Sequence, residues 1–228
     1  MFERPHHQRI ARVLEALDAD TLVRFRCLFG GGTAISLSHD EFRESVDIDF
    51  ICSFVDGYRE LRNAINGNDL GPLMAQSMPL LRQPRVDQYG IRCAFLVDEV
   101  AVKFEIVFEG RIELDPPMES ERICGIWTLS PADRVATKLM ANADRWADDA
   151  VMSRDLIDLA MSSADGQLDA QGVAKAERAY GRSIADAFAK AKTGLLERPG
   201  RLKRCMQALK MELPEKSLRQ RIERLALP

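Results

Sequence analysis

Histidine is nearly missing from this chain: its 228 residues include three, His6, His7 and His39. A hydrolase built on a Ser–His or Cys–His pair would have to recruit one of these, and the first two fall at or just before a helix start. Carboxylates and basic side chains are left to carry any chemistry. The five cysteines (Cys27, Cys52, Cys93, Cys124 and Cys205) are far apart, odd in number and contain no CxxC pair. That argues against a disulfide framework or a zinc cage and for reduced thiols in a cytoplasmic protein. No apolar run approaches the ~18 residues that would suggest a membrane span. The opening MFERPHHQRIARVL has neither an apolar signal core nor a cleavage pattern, so export is not expected either. Internal repeats and low-complexity tracts are absent too.

What is present is ordinary in bulk and uneven in detail. A composition 46% hydrophobic and 29% charged suits a globular chain long enough for one large or two small domains. The net charge is −3, yet from Glu197 onward nine Lys/Arg face four Asp/Glu, a local +5 that leaves −8 for residues 1–196. A solvated helical surface explains that excess blandly. The sharper reading is a basic arm, with Arg201, Lys203 and Arg204 in it, that guides a polyanion toward an acidic centre.

Periodicity divides the chain into a mixed α/β part, residues 1–129, and a helical part, residues 130–228. In the first, HQRIARVLEALDA reads as an amphipathic helix over 7–19, and VRFRCLF as a strand running into a glycine turn. A short helix follows over Thr33 to Ser38, then VDIDFICSF as a strand and YRELRNAI as a helix. Residues 67–84 read as irregular. QYGIRCAFLV and VAVKFEIVFEG, separated by Asp98-Glu99, read as a hairpin, and RICGIWTL as a last short strand. Ser130-Pro131 has the form of an N-cap with proline at the first helical position, and almost everything after it has helical spacing.

Three features attract chemistry. Asp47 and Asp49, in VDIDF, share one strand face roughly 7 Å apart while Ile48 and Phe50 face the other way. Such a pair also reads as a solvated edge. Lys103 and Glu105 are polar positions on an otherwise apolar strand; a surface ion pair accounts for them equally simply. If that strand pairs with the Asp47–Asp49 strand, Glu105 completes a carboxylate triad, which is costly without hard divalent cations. Gly31-Gly32-Thr33 stands between strand and helix, where backbone without side chains can approach a phosphate and a helix N-terminus offers free N–H groups. Alone, a Gly-Gly pair is turn chemistry.

Together, Gly31-Gly32-Thr33, then Arg43-x-Ser45-x-Asp47-Ile48-Asp49, then Lys103-x-Glu105 resembles the minimal nucleotidyltransferase fold of the polymerase-β superfamily. Within it the pattern is most similar to the AbiEii/AbiGii-type toxins, which include the MenT-type toxins. KLMANADR and SRDLIDL put Lys138, Arg145, Asp155 and Asp158 at places matching that family's helical elements, with Arg154 where the family usually has Lys. The resemblance covers roughly residues 25–160. Between the glycine turn and Arg43, SLSHDEF shows no aromatic-glycine element.

The resemblance implies an α+β fold: a mixed sheet with flanking helices, residues 1–129, followed by a helical domain, 130–228, that completes the active site. It implies transfer of an NMP from an NTP to an acceptor, with pyrophosphate released. Asp47, Asp49 and Glu105 would hold two Mg²⁺ (or Mn²⁺) ions, and Glu105 would also help deprotonate the acceptor hydroxyl. Gly31, Gly32 and Thr33 would cradle the triphosphate, with Arg43, Ser45 and Lys138 touching its phosphates and Asp155 in the active site. The expected acceptor is RNA, with tRNA as the class, and a cognate antitoxin is the expected protein partner. Bland readings stand beside these. Arg43 pairs with Glu41 or Glu44, Ser45 bonds backbone, Lys138 is a solvated helix lysine, and Asp155 and Asp158 cap and solvate their helix. A small-molecule or protein hydroxyl as acceptor, and a non-catalytic nucleotide-binding module, are the rival functions.

Overall fold

In the computed structural model, which describes residues 2–65 and 69–228, the chain divides into two compact units. One comprises Met1–Leu37 with Ser45–Ser130; the other comprises Ser38–Glu44 with Pro131–Pro228. The short segment Ser38–Glu44 belongs with the helical unit although it sits early in the sequence.

The first unit is built on a five-stranded sheet. Strands β1 (Cys27–Gly30), β2 (Asp47–Cys52), β3 (Leu80–Val86), β4 (Gly90–Val97) and β5 (Val100–Phe108) lie in the order β1-β2-β5-β4-β3. Only β2 and β5 run parallel; the other neighbours are antiparallel. Helices α1 (Pro5–Glu15), α2 (Ala19–Arg24), α3 (Gly31–Ser38) and α4 (Val55–Ala64) accompany it. A small hairpin, β6 (Arg122–Ile123) and β7 (Ile126–Trp127), joins the β1 edge through a bridge from Phe29 to Thr128.

Alternation explains the sheet. In β2, Ile48, Phe50 and Cys52 are buried while Asp47, Asp49 and Ile51 are partly exposed. In β5, Val102, Phe104 and Ile106 are buried and Lys103 faces solvent. The buried face meets Ile10, Val13 and Leu14 of α1 and Leu61 of α4 in one apolar cluster. A row of rings runs across it. Phe29–Phe50 and Phe50–Phe104 have centroids 5.5 Å apart, and Phe95 meets Phe104 edge-on at 5.8 Å. Burying each such side chain stabilises the unit by roughly 2–3 kcal/mol.

Several elements differ from the sequence reading. Residues 23 and 24 are helical, not the start of a strand. Asp18 accepts the Thr21 backbone N–H and nucleates α2, which buries Leu22, so β1 begins only at Cys27. Helix α1 starts earlier, with Pro5 in its first turn, and stops at Glu15. Within the region expected to be irregular, Gly67 and Asn68 lie outside the described residues. Leu80 to Pro84, however, belong to edge strand β3, paired with β4 across two register shifts. Pro84 is tolerated there because an edge strand need not donate on both sides. RICGIWTL is a two-stranded hairpin, turned at Cys124 and Gly125, both at positive φ. The Asp98-Glu99 turn has φ of 49° and 58°, the pair of left-handed residues a tight hairpin needs.

The second unit is helical: α5 (Pro131–Arg145), α6 (Arg154–Ser162), α7 (Ala170–Tyr180), α8 (Ser183–Glu197), α9 (Arg201–Ala208) and α10 (Glu215–Arg224). Helix α5 is central and packs against α6, α7 and α8. Gly172 lets α7 come close, because a Cβ there would collide with the Ala132 carbonyl of α5. A buried ion pair, Lys175 Nζ to Asp133 Oδ1 at 2.5 Å, ties the same two helices.

Candidate active site

The parallel register of β2 and β5 sets Asp47 opposite Lys103 and Asp49 opposite Glu105. The antiparallel register of β1 and β2 sets Gly30 opposite Asp49. Asp47, Asp49 and Glu105 thus occupy one partly exposed sheet face, and the chain leaves β1 beside them into the glycine turn. Asp47 Oδ1 is buried without a hydrogen-bond donor, with Lys103 Nζ 3.9 Å away. Glu105 Oε1 lies 2.5 Å from Arg92 Nε.

Gly31 cannot be exchanged for another residue without strain. Its φ is +66°, and a Cβ would run into the Asp49 carboxylate. The glycine therefore lets the N-terminus of α3 lie against that aspartate. Helix α3 then buries Thr33, Ala34, Ile35, Ser36 and Leu37.

Thr33 is fully buried, and its Oγ1 lies 2.5 Å from the Asp47 carbonyl and 2.8 Å from Ser45 Oγ. One hydroxyl proton serves one acceptor, so Thr33 donates to the carbonyl and Ser45 can donate to Thr33. These two hydroxyls fasten the entry of β2 onto α3. The Ser45 backbone N–H donates to His7 Nε2 at 3.0 Å, which makes that nitrogen the acceptor of a buried imidazole.

The other expected residues lie in the helical unit, where they form a buried ionic network. Arg43 grips Asp158 with two bonds, Nε to Oδ1 at 2.6 Å and Nη2 to Oδ2 at 2.9 Å. Lys138 Nζ is 2.6 Å from Asp158 Oδ2 and 3.0 Å from Asp155 Oδ1. Arg145 completes the chain through Nε to Asp155 Oδ2 at 2.7 Å and Nη2 to Oδ1 at 2.9 Å. Three cations meet two anions here, and all but Arg145 are almost wholly buried. Burial alone would raise the Asp155 carboxyl. Lys138 and Arg145 outweigh it and hold Asp155 below the usual carboxylate range.

The expected site residues therefore fall into two groups: Gly31, Gly32, Thr33, Ser45, Asp47, Asp49 and Glu105 in the first unit, and Arg43, Lys138 and Asp155 in the second. Arg43 has a carboxylate partner that the bland reading does not name. Its guanidinium takes Asp158 and, through Nη1, the Glu44 carbonyl. Lys138 is not a solvated helix lysine, being 6% exposed. Sequence reasoning missed Arg92, although counting back from the Asp98-Glu99 turn puts it opposite Glu105. It also missed His7 as the partner of Ser45, for which no local signal exists. A cavity of about 270 Å³, bordered by His39, Arg134 and Asp165, contains none of the expected residues.

The donor set fits a hard divalent cation in part. Asp47 and Asp49 supply oxygen ligands on one face, and Asp47 Oδ1 lacks a donor. Glu105 is engaged by Arg92, and among the described residues no three acidic, histidine or cysteine side chains converge as a ready-made cage.

A mixed sheet carrying paired aspartates beside a glycine turn, followed by a helical unit, is the nucleotidyltransferase fold. The chain belongs to the family described as "Nucleotidyl transferase AbiEii toxin, Type IV TA system", whose model matches residues 12–227. Membership implies an NTP substrate and an antitoxin counterpart. Among solved structures, the chain is similar to JHP933 from Helicobacter pylori. The two are 16% identical over 97% of this chain and 90% of that one, with a TM-score of 0.50. It is also similar to MenT4, a nucleotidyltransferase toxin of Mycobacterium tuberculosis, at 17% identity over 97% of this chain and 85% of that one, TM-score 0.45. At such identities the likeness to JHP933 is one of fold. No curated protein matches the sequence significantly.

Proposed function

We propose that the chain transfers a nucleoside monophosphate from an NTP to a hydroxyl of an RNA acceptor, with tRNA as the acceptor class, as the toxin of its toxin–antitoxin pair in the cytoplasm. The observation that carries this reading is the register that aligns Asp49 with Glu105 and Asp47 with Lys103, beside a glycine turn opening α3.

In this reading Asp47 and Asp49 would hold divalent ions, Mg²⁺ or Mn²⁺, two in number, with Glu105, which Arg92 engages here, as a further ligand. Bound there, such ions neutralise charge on the attacking and leaving oxygens of an in-line phosphoryl transfer. The chain's own residues do the rest. The α3 N-terminus, with Gly31 and Gly32, receives the triphosphate through backbone N–H groups. Thr33 and Ser45 fix the entry of β2, so that Asp47 and Asp49 keep their positions. Arg43 and Lys138 supply positive charge for the phosphates, and Asp155 and Asp158 hold those head groups in place. Glu105 would assist deprotonation of the acceptor hydroxyl.

The test incubates the protein with total tRNA, Mg²⁺ and each α-³²P-labelled NTP in turn, beside Asp49→Ala. Label entering RNA with the wild type alone supports the reading and names the nucleotide. Label in a protein or small-molecule product, or in none, defeats it.

A further inference from the structure

Three arginines converge on one aspartate in the helical unit. Arg198 holds Asp149 through two bonds, Nη1 to Oδ1 at 2.9 Å and Nη2 to Oδ2 at 3.0 Å. Arg201 Nη1 lies 2.9 Å from the same Oδ1, and Arg204 Nη2 lies 3.9 Å from Oδ2. The cluster carries a net charge of two positive units, far more cation than one carboxylate can use.

Arg201 sets this cluster apart from a solvated charge patch. Its side chain is 3% exposed, whereas Arg198 and Arg204 are each 57% exposed. Burying a guanidinium is costly unless its N–H groups are used. Arg201 Nη2 reaches Ser153 Oγ at 3.4 Å. Its Nη1, buried, has no hydrogen-bond acceptor: the Asp149 oxygen is within ion-pair distance but off the N–H direction. A buried donor with no aligned acceptor, flanked by two exposed arginines, is an anion site filled imperfectly by the chain's own carboxylate.

The backbone agrees. Helix α9 begins here, after Gly200 at φ +69° with no side-chain cap. Nothing lies within 4 Å of where a Gly200 Cβ would be, so the helix start is open to approach. Lys203 stands in the same first turn.

We propose that Arg198, Arg201 and Arg204 form a phosphodiester-binding site for the backbone of an RNA strand, with Asp149 as an internal competitor that an RNA phosphate displaces. The proposal rests on the RNA-acceptor reading above and gives it an address. A carboxylate and a phosphate oxygen present similar paired acceptors to a guanidinium, so the Asp149 geometry stands in for the phosphate's. The opposite signs expected for Asp149 and the arginines make the site testable.

The experiment measures binding of fluorescein-labelled deacylated total tRNA by anisotropy across a salt series, with wild type, Arg198→Ala/Arg204→Ala and Asp149→Ala. All three changes lie at exposed side chains, and circular dichroism checks folding. The double variant is expected to bind about tenfold more weakly, with the salt dependence lowered by about two ions. Asp149→Ala is expected to bind threefold or more tightly. Unchanged affinity in the double variant, or weaker binding by Asp149→Ala, overturns the site, as does a wild type that binds no tRNA. A parallel titration with Mg²⁺–NTP separates phosphate sources: a loss there, with tRNA affinity intact, also overturns it. Transfer activity is scored separately. A wild type that binds tRNA through these arginines yet labels no RNA keeps the site and removes the transferase reading.

Discussion

The two groups of carboxylates in this chain are built on opposite principles. Asp47, Asp49 and Glu105 lie together on a partly exposed face, with one arginine drawn to Glu105 and one lysine 3.9 Å from Asp47. Asp155 and Asp158 are buried, at 2% and 0% exposure, and three cations surround them. The first group stands at a partly wet face, and the second is buried within an excess of positive charge.

On the proposed reading, that difference separates carboxylates that hold metal ions from carboxylates that hold other side chains in place. Like charges kept together at a partly wet face oppose folding, and they persist only where something other than stability requires them. Buried charges matched by several hydrogen-bonded partners do the reverse: removing one leaves its partners stranded in a low dielectric. The same residue type is therefore expected to answer activity measurements in one unit and stability measurements in the other.

The largest effect should come from Asp49→Ala. Nucleotide transfer is expected to fall by about 10³-fold, close to 4 kcal/mol of transition-state stabilisation. Unfolding free energy should stay within about 0.5 kcal/mol of wild type or rise, since a like charge is lost. Urea unfolding beside the radiolabel assay reads both, and a large stability loss would dissolve the contrast.

Asp158→Ala should behave in the opposite sense. It strands Arg43 and Lys138, both almost wholly buried, and is expected to cost about 3 kcal/mol of stability. A midpoint of urea unfolding close to wild type would show that the network contributes little as a frame.

How much of this could be read from the sequence follows from the range of each interaction. Asp47 and Asp49 were legible because strand geometry puts alternate residues on one face, and Glu105 because a two-residue turn fixes its hairpin. The helix behind Gly31 and most of the C-terminal helices were legible from periodicity. The segment 23–24 was misread because Val23, Phe25, Cys27 and Phe29 alternate like a strand, while the Asp18 cap that makes a helix there lies outside the alternating run. Strand β3 carries Pro84 and exists through its pairing with β4, which no local pattern announces. Arg43 and Asp158 are 115 positions apart, and His7 and Ser45 are 38 apart. Spacing rules reach a few residues, so partners brought together only by the fold stay invisible until the fold is seen.

The smallest of these effects is also the most specific to the buried network. Asp155 is held below the usual carboxylate range in the folded chain, against burial, by Lys138 and Arg145. A depressed folded-state pKa gives stability that is fully present above the unfolded value, about 4 for an aspartate, and is lost as pH falls through the folded value. The quantity to follow is the stability difference between wild type and Asp155→Asn, taken from urea unfolding at a series of pH values. Subtraction removes the other carboxylates, which titrate in both proteins. The difference should favour wild type and stay flat from neutral pH down to about 4, then shrink at lower pH as the unfolded chain takes up the proton that folded Asp155 refuses. A difference that instead grows in favour of wild type as pH falls from about 6 to about 4 would mean that Asp155 titrates as an unpaired buried acid, and that Lys138 and Arg145 do not hold it charged.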